Sequence, residues 1–389
     1  MQQLFDPIHI IGPIGSLCDG IALYNRQLIR TLVNNNYPVK VTSAETGNNP
    51  NVPVCLDPEI INVVKSTKDL IDPEITINAT IPPLYRVNKG INIGLTSWET
   101  SILPSDWVQK MNQQHAIFVP SKSLIEIYKH SGVKAPMYVL GYPLDFTSLS
   151  KLKKTIIEPS ISRKVTYLYS GNWVPRKNIE DLCLAYCLAF ENIKDVSLVI
   201  KTWALNNDTG SRQHIEAAIR HLCNKVNGLT HRPRIHICTD PVEDNESNEI
   251  INGADVFVTT SRGEGVDIGL TTAIALNKYT ICDGFLAHGD LVSNKKFVYN
   301  AILRPVIDSG TPFHAAKMAW STPDIINLVG KFRDSYSTII ENTSKNISPK
   351  HYTTIEQTNS SINVFNSLLA YLEEIKNKYG KQQLVPISR

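Results

Sequence analysis

Residues 261–277 read SRGEGVDIGLTTAIALN and follow the apolar, β-branched run DVFVT at residues 255–259. The run predicts a buried strand, and the glycines after it predict a tight loop leading into a helix over about residues 270–276. Free backbone amides at a helix N-terminus favour an anion or a hydroxylated ligand. Glu264, between two glycines, would accept hydrogen bonds from hydroxyl groups. The stretch predicts a phosphate or sugar clamp, although a simple turn has the same spacing.

A second strand-loop-helix unit lies about ninety residues earlier. A strand at residues 165–169 leads into SGNWVPRKN at residues 170–178 and then into a helix at residues 179–189. The adjacent cations Arg176 and Lys177 at such a turn suit a diphosphate, whereas in isolation they also fit solvated loop charges. Cations and a carboxylate at two strand ends of one sheet together describe a nucleotide-sugar site.

Short apolar runs alternate with helical patterns along the whole chain. This pattern predicts an α/β protein with two Rossmann-like, doubly wound domains that face each other across a cleft. We place the domains at residues 1–160 and 161–350, with a C-terminal helix and tail at residues 351–389 that packs across the junction. The predicted strands are residues 8–11, 39–43, 75–79, 91–95, 116–119 and 137–140, then 165–169, 196–201, 234–238, 255–259, 278–282 and 296–299.

Composition limits the class of protein. The 389 residues are 42% hydrophobic and carry a net charge of +3, which suits two globular domains and gives no bulk attraction for polyanions. Seven scattered cysteines indicate free thiols in a reducing compartment. The start of the chain has no secretory pattern, and no window approaches 18 uninterrupted apolar residues, so we expect a cytoplasmic location without an integral membrane segment. Peripheral membrane association through an amphipathic helix stays open.

Six segments, in order, resemble one known family. The chain resembles the retaining glycosyltransferases of the two-Rossmann-domain GT-B type, in the group that carries a Glu, seven residues, Glu signature. The resemblance implies a fold of two facing domains and transfer of a sugar from a nucleotide sugar such as a UDP- or GDP-sugar. The matching segments are distributed over most of the length of the chain: residues 15–32, 91–107, 115–133, 137–145, 170–178 and 261–277.

The resemblance also implies roles for particular residues. Lys177 matches the lysine that binds the donor diphosphate, and Glu264 matches the first signature glutamate, near the sugar hydroxyls. Gly20 matches the glycine-rich loop that faces the donor from the first domain. The remaining donor-binding candidates belong to the two loops already described: Asn172, Arg176, Gly265, Val266, Asp267, Ile268 and Thr272.

Two of these positions depart from the family pattern. Asn172 stands where many relatives have an arginine, and Thr272 stands where the second signature glutamate binds the ribose. Replacing a carboxylate by a hydroxyl removes a charge-assisted hydrogen bond of ~1.5 to 3 kcal/mol. Arg176 is the candidate for the missing cation and Asp267 the candidate for the missing carboxylate.

The expected mechanism needs no metal and no cofactor. Breaking the bond between sugar and diphosphate builds negative charge on the leaving phosphate, which Lys177 and Arg176 would stabilise. The resemblance implies retention of configuration by same-face attack, without a protein nucleophile. The acceptor-side candidates are Asp19, Trp98 and Glu99. We expect Glu99 to act as a base or hydrogen-bond acceptor, or else to cap a turn. Trp98 is either a platform for a sugar or a buried tryptophan.

Two classes of function remain open from the sequence. The first is an active hexosyl- or pentosyltransferase whose acceptor is a glycan, a lipid-linked sugar or another hydroxyl compound. A hydroxylated nucleobase in DNA is a minority choice that the nearly neutral first domain does not favour. The second class, suggested by Asn172 and Thr272, is a non-catalytic relative that binds a nucleotide or a glycan.

Overall fold

The computed structural model describes residues 6–17, 19–44, 54–55, 57–71, 73–153, 164–204, 208–226, 231–293, 295–307, 310–344 and 352–380. Two parallel β-sheets dominate this part of the chain. The predicted domain boundary at residue 160 and one of the seven cysteines, Cys18, lie outside the described residues.

The first sheet is formed by short, mostly buried strands rich in isoleucine and valine. Its spatial order, β2-β1-β3-β4-β5-β6, reverses direction between β1 and β3, so that the loops after these two strands diverge. Every pairing in this sheet is parallel. The strands are β1 (Ile8–Gly12), β2 (Val39–Ser43), β3 (Ile75–Ala79), β4 (Ile91–Leu95), β5 (Ala116–Val119) and β6 (Met137–Val139). The helices of this half are α1 (Gly20–Asn34), α2 (Pro58–Thr67), α3 (Ser105–Met111), α4 (Ser123–Ser131) and α5 (Phe146–Leu149).

The second sheet has five parallel strands in the order β11-β10-β7-β8-β9. The chain runs outward from β7 to β9 and then returns to the other side of β7, which puts the switch point between β7 and β10. The strands are β7 (Val165–Asn172), β8 (Val196–Trp203), β9 (Arg234–Cys238), β10 (Val256–Val258) and β11 (Tyr279–Ile281). The helices are α6 (Ile179–Ala189), α7 (Thr209–Asn224), α8 (Asp244–Gly253), α9 (Ile268–Ala275) and α10 (Ala287–Leu291).

The last elements join the two halves. An antiparallel hairpin of β12 (Ala301–Pro305) and β13 (Ala319–Pro323) precedes the helices α11 (Ile325–Ser344), α12 (Tyr352–Asn359) and α13 (Ser361–Tyr379). Helix α11 packs on α6, whereas α13 packs on the first half, where Val364, Leu368 and Leu372 join the same apolar cluster as Ile8. The C-terminal helix thus packs across the junction, as the sequence predicts.

Three details differ from the predicted strands. Strands β7 and β8 continue to Asn172 and Trp203, beyond their predicted ends at residues 169 and 201. Residues 296–299 are wrong as a strand: residues Lys295–Phe297 form a 3-10 turn, and only Val298 bridges the sheet edge, opposite Cys282. Phe297 and Tyr299 are both buried, so buried and less buried side chains alternate here as they do in a strand. The segment nevertheless lacks the regular hydrogen bonds to a neighbouring strand. The β12–β13 hairpin has no counterpart in the prediction.

Six cysteines lie in the described part of the chain, and all six are free thiols, five of them buried. Within the described residues, no helix combines the length and the hydrophobicity that crossing a bilayer requires.

Candidate functional site

A cavity of about 450 Å³ lies between the carboxyl ends of the two sheets. The loops after β7 and β10, which flank the switch point of the second sheet, form one wall. In sheets of this kind the switch point is the usual position of a ligand. The cavity is lined by every site residue predicted from the sequence: Asp19, Gly20, Trp98, Glu99, Asn172, Arg176, Lys177, Glu264, Gly265, Val266, Asp267, Ile268 and Thr272.

Lys177 ends a 3-10 turn of residues Pro175–Lys177, which begins three residues after the end of β7 at Asn172. The next residue, Asn178, has a left-handed backbone with φ of 54°, a conformation that asparagine tolerates better than most residues. Its carbonyl accepts a hydrogen bond from Thr260 Oγ1 at 2.9 Å, which ties the turn to the end of β10. Lys177 Nζ consequently lies 2.6 Å from Glu264 Oε1.

Glu264 is almost completely buried and shares one carboxylate oxygen among three donors. Lys177 Nζ lies at 2.6 Å, Arg176 at 2.7 Å and Ser261 Oγ at 2.5 Å from Oε1. Arg176 also donates to the carbonyl of Gly263 at 2.6 Å. The two cations proposed for a diphosphate and the carboxylate proposed for sugar hydroxyls therefore form one cluster, with one positive charge in excess.

Arg176 links this cluster to the first domain. Its guanidinium nitrogen lies 3.5 Å from Glu99 Oε1. Burial by itself would lower the pKa of Arg176, but the carboxylates of Glu264 and Glu99 raise it above its ordinary value. Burial would raise the pKa of Glu99, whereas the charge of Arg176 and the contact with His314 hold it below its ordinary value. Both groups are consequently charged at neutral pH.

The loop that carries Glu264 lies directly against the first domain. A Cβ atom added to Gly263 would come within 1.9 Å of the carbonyl oxygen of Glu99, and one added to Gly265 within 2.7 Å of the backbone nitrogen of Trp98. Ser121 Oγ donates to the carbonyl of Gly265 at 2.9 Å. Glycine is thus required at positions 263 and 265 because the backbones of the two domains approach each other closely. This close approach places Glu99 beside Arg176.

Asp267 already has two structural partners. Its Oδ1 caps α9 by accepting a hydrogen bond from the Leu270 amide at 2.9 Å, and its Oδ2 lies 3.1 Å from His288 Nε2. His288 Nδ1 lies 2.6 Å from Asp283 Oδ1, and the Ser321 hydroxyl donates to the same aspartate. If Asp267 replaced the missing ribose carboxylate, it would have to share oxygens that hold the loop in place. The sequence offered no partner for His288.

The other predicted residues occupy distinct positions around the cavity. Asp19 caps α1 through a hydrogen bond from the Ile21 amide at 2.8 Å, directly before Gly20. Asn172 is the last residue of β7 and is half-buried, whereas Thr272 is buried within α9. Trp98 is only 2% exposed and its indole donates to the Ile102 carbonyl at 2.8 Å, so this placement favours a packing role over an open platform.

Sequence reasoning missed His314 and Trp203, which also line the cavity. His314 lies in the loop between β12 and β13, and its Nε2 is 3.6 Å from Glu99 Oε2. Because the hairpin was not predicted, nothing in the local sequence indicated that this histidine reaches the site. Trp203 ends β8, where the strand pattern of residues 196–201 marks the neighbourhood but not the side chain.

Comparisons with known proteins bear on the fold. No protein-family model and no curated protein sequence matches this chain. Among solved structures, the chain is similar to sucrose-phosphate synthase from Thermosynechococcus elongatus, with 12% identity, a TM-score of 0.62 and coverage of 96% of this chain and 100% of the other. It is also similar to α,α-trehalose 6-phosphate synthase from Burkholderia multivorans, with 9% identity, a TM-score of 0.60 and coverage of 99% and 100%.

A third similar structure, a trehalose-6-phosphate protein from E. coli, is bound with UDP-2-fluoro glucose. It has 9% identity, a TM-score of 0.57 and coverage of 95% of this chain and 99% of the other. Matches over nearly the full length of both chains, together with the two parallel sheets, confirm the predicted α/β architecture of two Rossmann-like domains, the GT-B fold.

Proposed function

We propose that this protein transfers a sugar from a nucleotide-diphosphate sugar to an acceptor hydroxyl, with retention of anomeric configuration. The observation that carries the proposal is the convergence of Lys177, Arg176 and Glu264 on one wall of the interdomain cavity. Two adjacent cations suit a diphosphate, and a carboxylate beside them suits sugar hydroxyls. Fold similarity to sucrose-phosphate and trehalose-6-phosphate synthases raises the expectation by analogy.

The chemistry follows from where charge develops. The acceptor oxygen bonds to the anomeric carbon while the bond from that carbon to the phosphate oxygen breaks, and the electron pair stays with the diphosphate. The acceptor proton passes to the leaving phosphate on the same face of the sugar. Lys177 and Arg176 stabilise the growing negative charge, and Glu264 orients the transferred sugar. The step uses side chains of this protein and neither a metal nor a cofactor.

The acceptor side is formed by the first domain. Glu99 is the carboxylate there that lies nearest Arg176 and keeps some exposure, with 28% of its side chain accessible. Such a carboxylate accepts a hydrogen bond from a hydroxyl group. The substrate that receives the sugar would therefore be a glycan, a lipid-linked sugar or another hydroxyl compound. We further propose that the protein acts in the cytoplasm, where nucleotide sugars are made available to transferases.

A screen of nucleotide sugars tests the proposal. Purified protein is incubated with UDP- and GDP-sugars, and release of the nucleoside diphosphate is measured with water or a sugar panel as acceptor. We expect turnover of at least one donor, and a loss of tenfold or more in Lys177→Ala and Glu264→Ala, about 1.4 kcal/mol of transition-state stabilisation or more. Lys129→Ala, an exposed lysine on α4, is the matched control. Equal rates in both site variants and the wild type would contradict the site.

A second candidate function is binding without catalysis. The observation that favours it is the complete use of Glu264 Oε1 by three protein donors, which leaves less of the carboxylate for a sugar. Calorimetric titration separates the two functions, because a binding protein gives saturable heat with a nucleotide sugar or a glycan but no diphosphate release with any acceptor.

A further inference from the structure

Glu99 and Glu264 are held by Arg176 with different strength. Arg176 lies 2.7 Å from Glu264 but 3.5 Å from Glu99. Glu264 keeps Lys177 and Ser261 as partners if Arg176 moves. On its other side Glu99 faces the imidazole of His314, whose Nε2 lies 3.6 Å from Oε2. The contact between Arg176 and Glu99 is therefore the weaker one and the one most easily given up.

His314 is fixed in place by its surroundings. Its side chain is 3% exposed and lies edge-on to Trp98, with ring centroids 5.1 Å apart. Its hairpin is bound to the first domain by two hydrogen bonds between Ser101 and Ala319, of 2.9 and 2.8 Å. The buried Nδ1 atom has no hydrogen-bond partner among the described residues. Nε2 consequently stays directed at Glu99 from the second domain.

The two cations that suit a diphosphate are already paired with carboxylates. A nucleoside diphosphate joined to a sugar brings two negative charges, while Lys177 and Arg176 are already matched by Glu264 and Glu99. An arriving diphosphate must compete with a carboxylate for a cation. Because Glu99 makes the longer contact and is the more exposed carboxylate, Arg176 leaves it first.

We propose that Glu99 gates Arg176: the donor diphosphate draws Arg176 away from Glu99, and His314 then holds the released carboxylate toward the acceptor hydroxyl. This inference rests on the proposed function and deepens it. Glu99 accepts a hydrogen bond from the acceptor and takes no proton, and His314 is a positioning residue that acts through Glu99. Donor binding thereby precedes productive binding of the acceptor.

Titration calorimetry with inorganic pyrophosphate on the full-length protein tests the gate without an identified sugar. Glu99→Gln removes the competing charge, so it should bind pyrophosphate roughly three- to tenfold more tightly than the wild type. His314→Ala leaves Glu99 to pair with Arg176 alone, so it should bind roughly two- to fivefold more weakly. His314→Gln keeps a side-chain donor and should stay close to the wild type. Glu126→Gln, which removes an exposed charge on α4, should also stay close.

The opposite signs separate the gate from a merely structural role. If Glu99 and His314 only maintained the fold of the junction, both Glu99→Gln and His314→Ala would weaken binding. Equal or weaker binding in Glu99→Gln, checked with Glu99→Ala in case one variant does not fold, overturns the inference. A wild-type protein that binds neither pyrophosphate nor any nucleoside diphosphate overturns the proposed function itself, whereas normal wild-type binding without the expected signs overturns only the gate.

Discussion

His288 is a fully buried imidazole between two carboxylates, a combination that is costly unless it carries charge. Although burial opposes the imidazolium, Asp283 and Asp267 raise the pKa of His288 to about 10. In turn, and again against the effect of burial, His288 and the charge of Lys177 lower the pKa of Asp267 to about 2. The charged trio holds the N-cap of α9 and hence the loop that carries Glu264.

These pKa shifts predict how stability depends on pH. The pKa of His288 is raised above its ordinary 6.5, so its contribution is complete below pH 6.5 and is lost as the pH rises toward about 10. The pKa of Asp267 is lowered from 3.8, so its contribution is complete above that value and is lost as the pH falls toward about 2. Denaturant unfolding at pH 6 and pH 9 should show the alkaline loss, and His288→Gln should reduce it.

An exposed histidine provides the comparison for this experiment. His130, in the last turn of α4, lies at the surface, and His130→Gln should leave the pH dependence of the wild type intact. The same alkaline loss in His288→Gln as in the wild type would contradict the assignment to His288.

Residues of the site differ in how far the sequence revealed them. Lys177 and Glu264 stand at strand ends with glycines nearby, and local chemistry was enough to select them. His288 and His314 depend on partners that are distant in sequence, since Asp267 precedes His288 by 21 residues and Glu99 lies in the other domain. Such pairs follow from packing between elements, which a single sequence does not encode in any local pattern.

The loop from Gly263 to Gly265 is the element that determines how closely the domains approach the site. The carbonyl of Glu99 occupies the space where a side chain at position 263 would begin, at 1.9 Å from its Cβ. Trp98, the next residue along the chain from Ser97 and before Glu99, is buried, and a Cβ atom at position 265 would come within 2.7 Å of its backbone nitrogen. Any side chain at position 263 must therefore separate the β10 loop from the end of β4.

Gly263→Ala should destabilise the protein by about 1–3 kcal/mol and weaken pyrophosphate binding, because Arg176 donates to the carbonyl of the same residue. Gly330→Ala is the matched glycine control. A Cβ atom there meets nothing within 4 Å, and alanine within α11 should stabilise by about 1 kcal/mol. Chemical denaturation measures both effects, and an unchanged midpoint for Gly263→Ala would contradict the close approach.

Strands with a clear local pattern were predicted well, whereas the β12–β13 hairpin was not. β2, β3, β4, β5 and β9 match their predicted bounds because each is a short, β-branched run beside helical segments. The hairpin was missed because Ile302 and Leu303 are both exposed on β12, so that neighbouring apolar residues replace the usual alternation. The cavity-lining loop with His314 connects the two strands of this hairpin. Because the hairpin was not predicted, the position of this loop was not predicted either.

Across the whole molecule, a buried ion pair joins the two domains at the side of the cavity. Arg26 of α1 is fully buried and makes two hydrogen bonds to Asp244 at the start of α8, at 3.0 and 2.7 Å. Arg30 adds a third, at 3.0 Å. Despite burial, these two arginines lower the pKa of Asp244. The pair orients α1 and α8, both of which contribute cavity-lining residues.

Removing one partner of the Arg26–Asp244 ion pair should lower the free energy of unfolding by far more than the intact pair contributes to it. Asp244→Ala leaves Arg26 buried without its counter-ion, a loss of about 3–5 kcal/mol, and weakens the link between the domains. We expect calorimetric unfolding to change from one transition to two, because each sheet then unfolds with its own core.

Two control variants separate the loss of charge pairing from other effects. The double variant Arg26→Met, Asp244→Leu removes both charges and should recover most of the lost stability. Asp240→Ala, which breaks an exposed pair with Arg212, should cost at most about 1 kcal/mol. A single transition with wild-type stability in Asp244→Ala would contradict this prediction, because it would show that the other contacts between the domains hold them together without the ion pair.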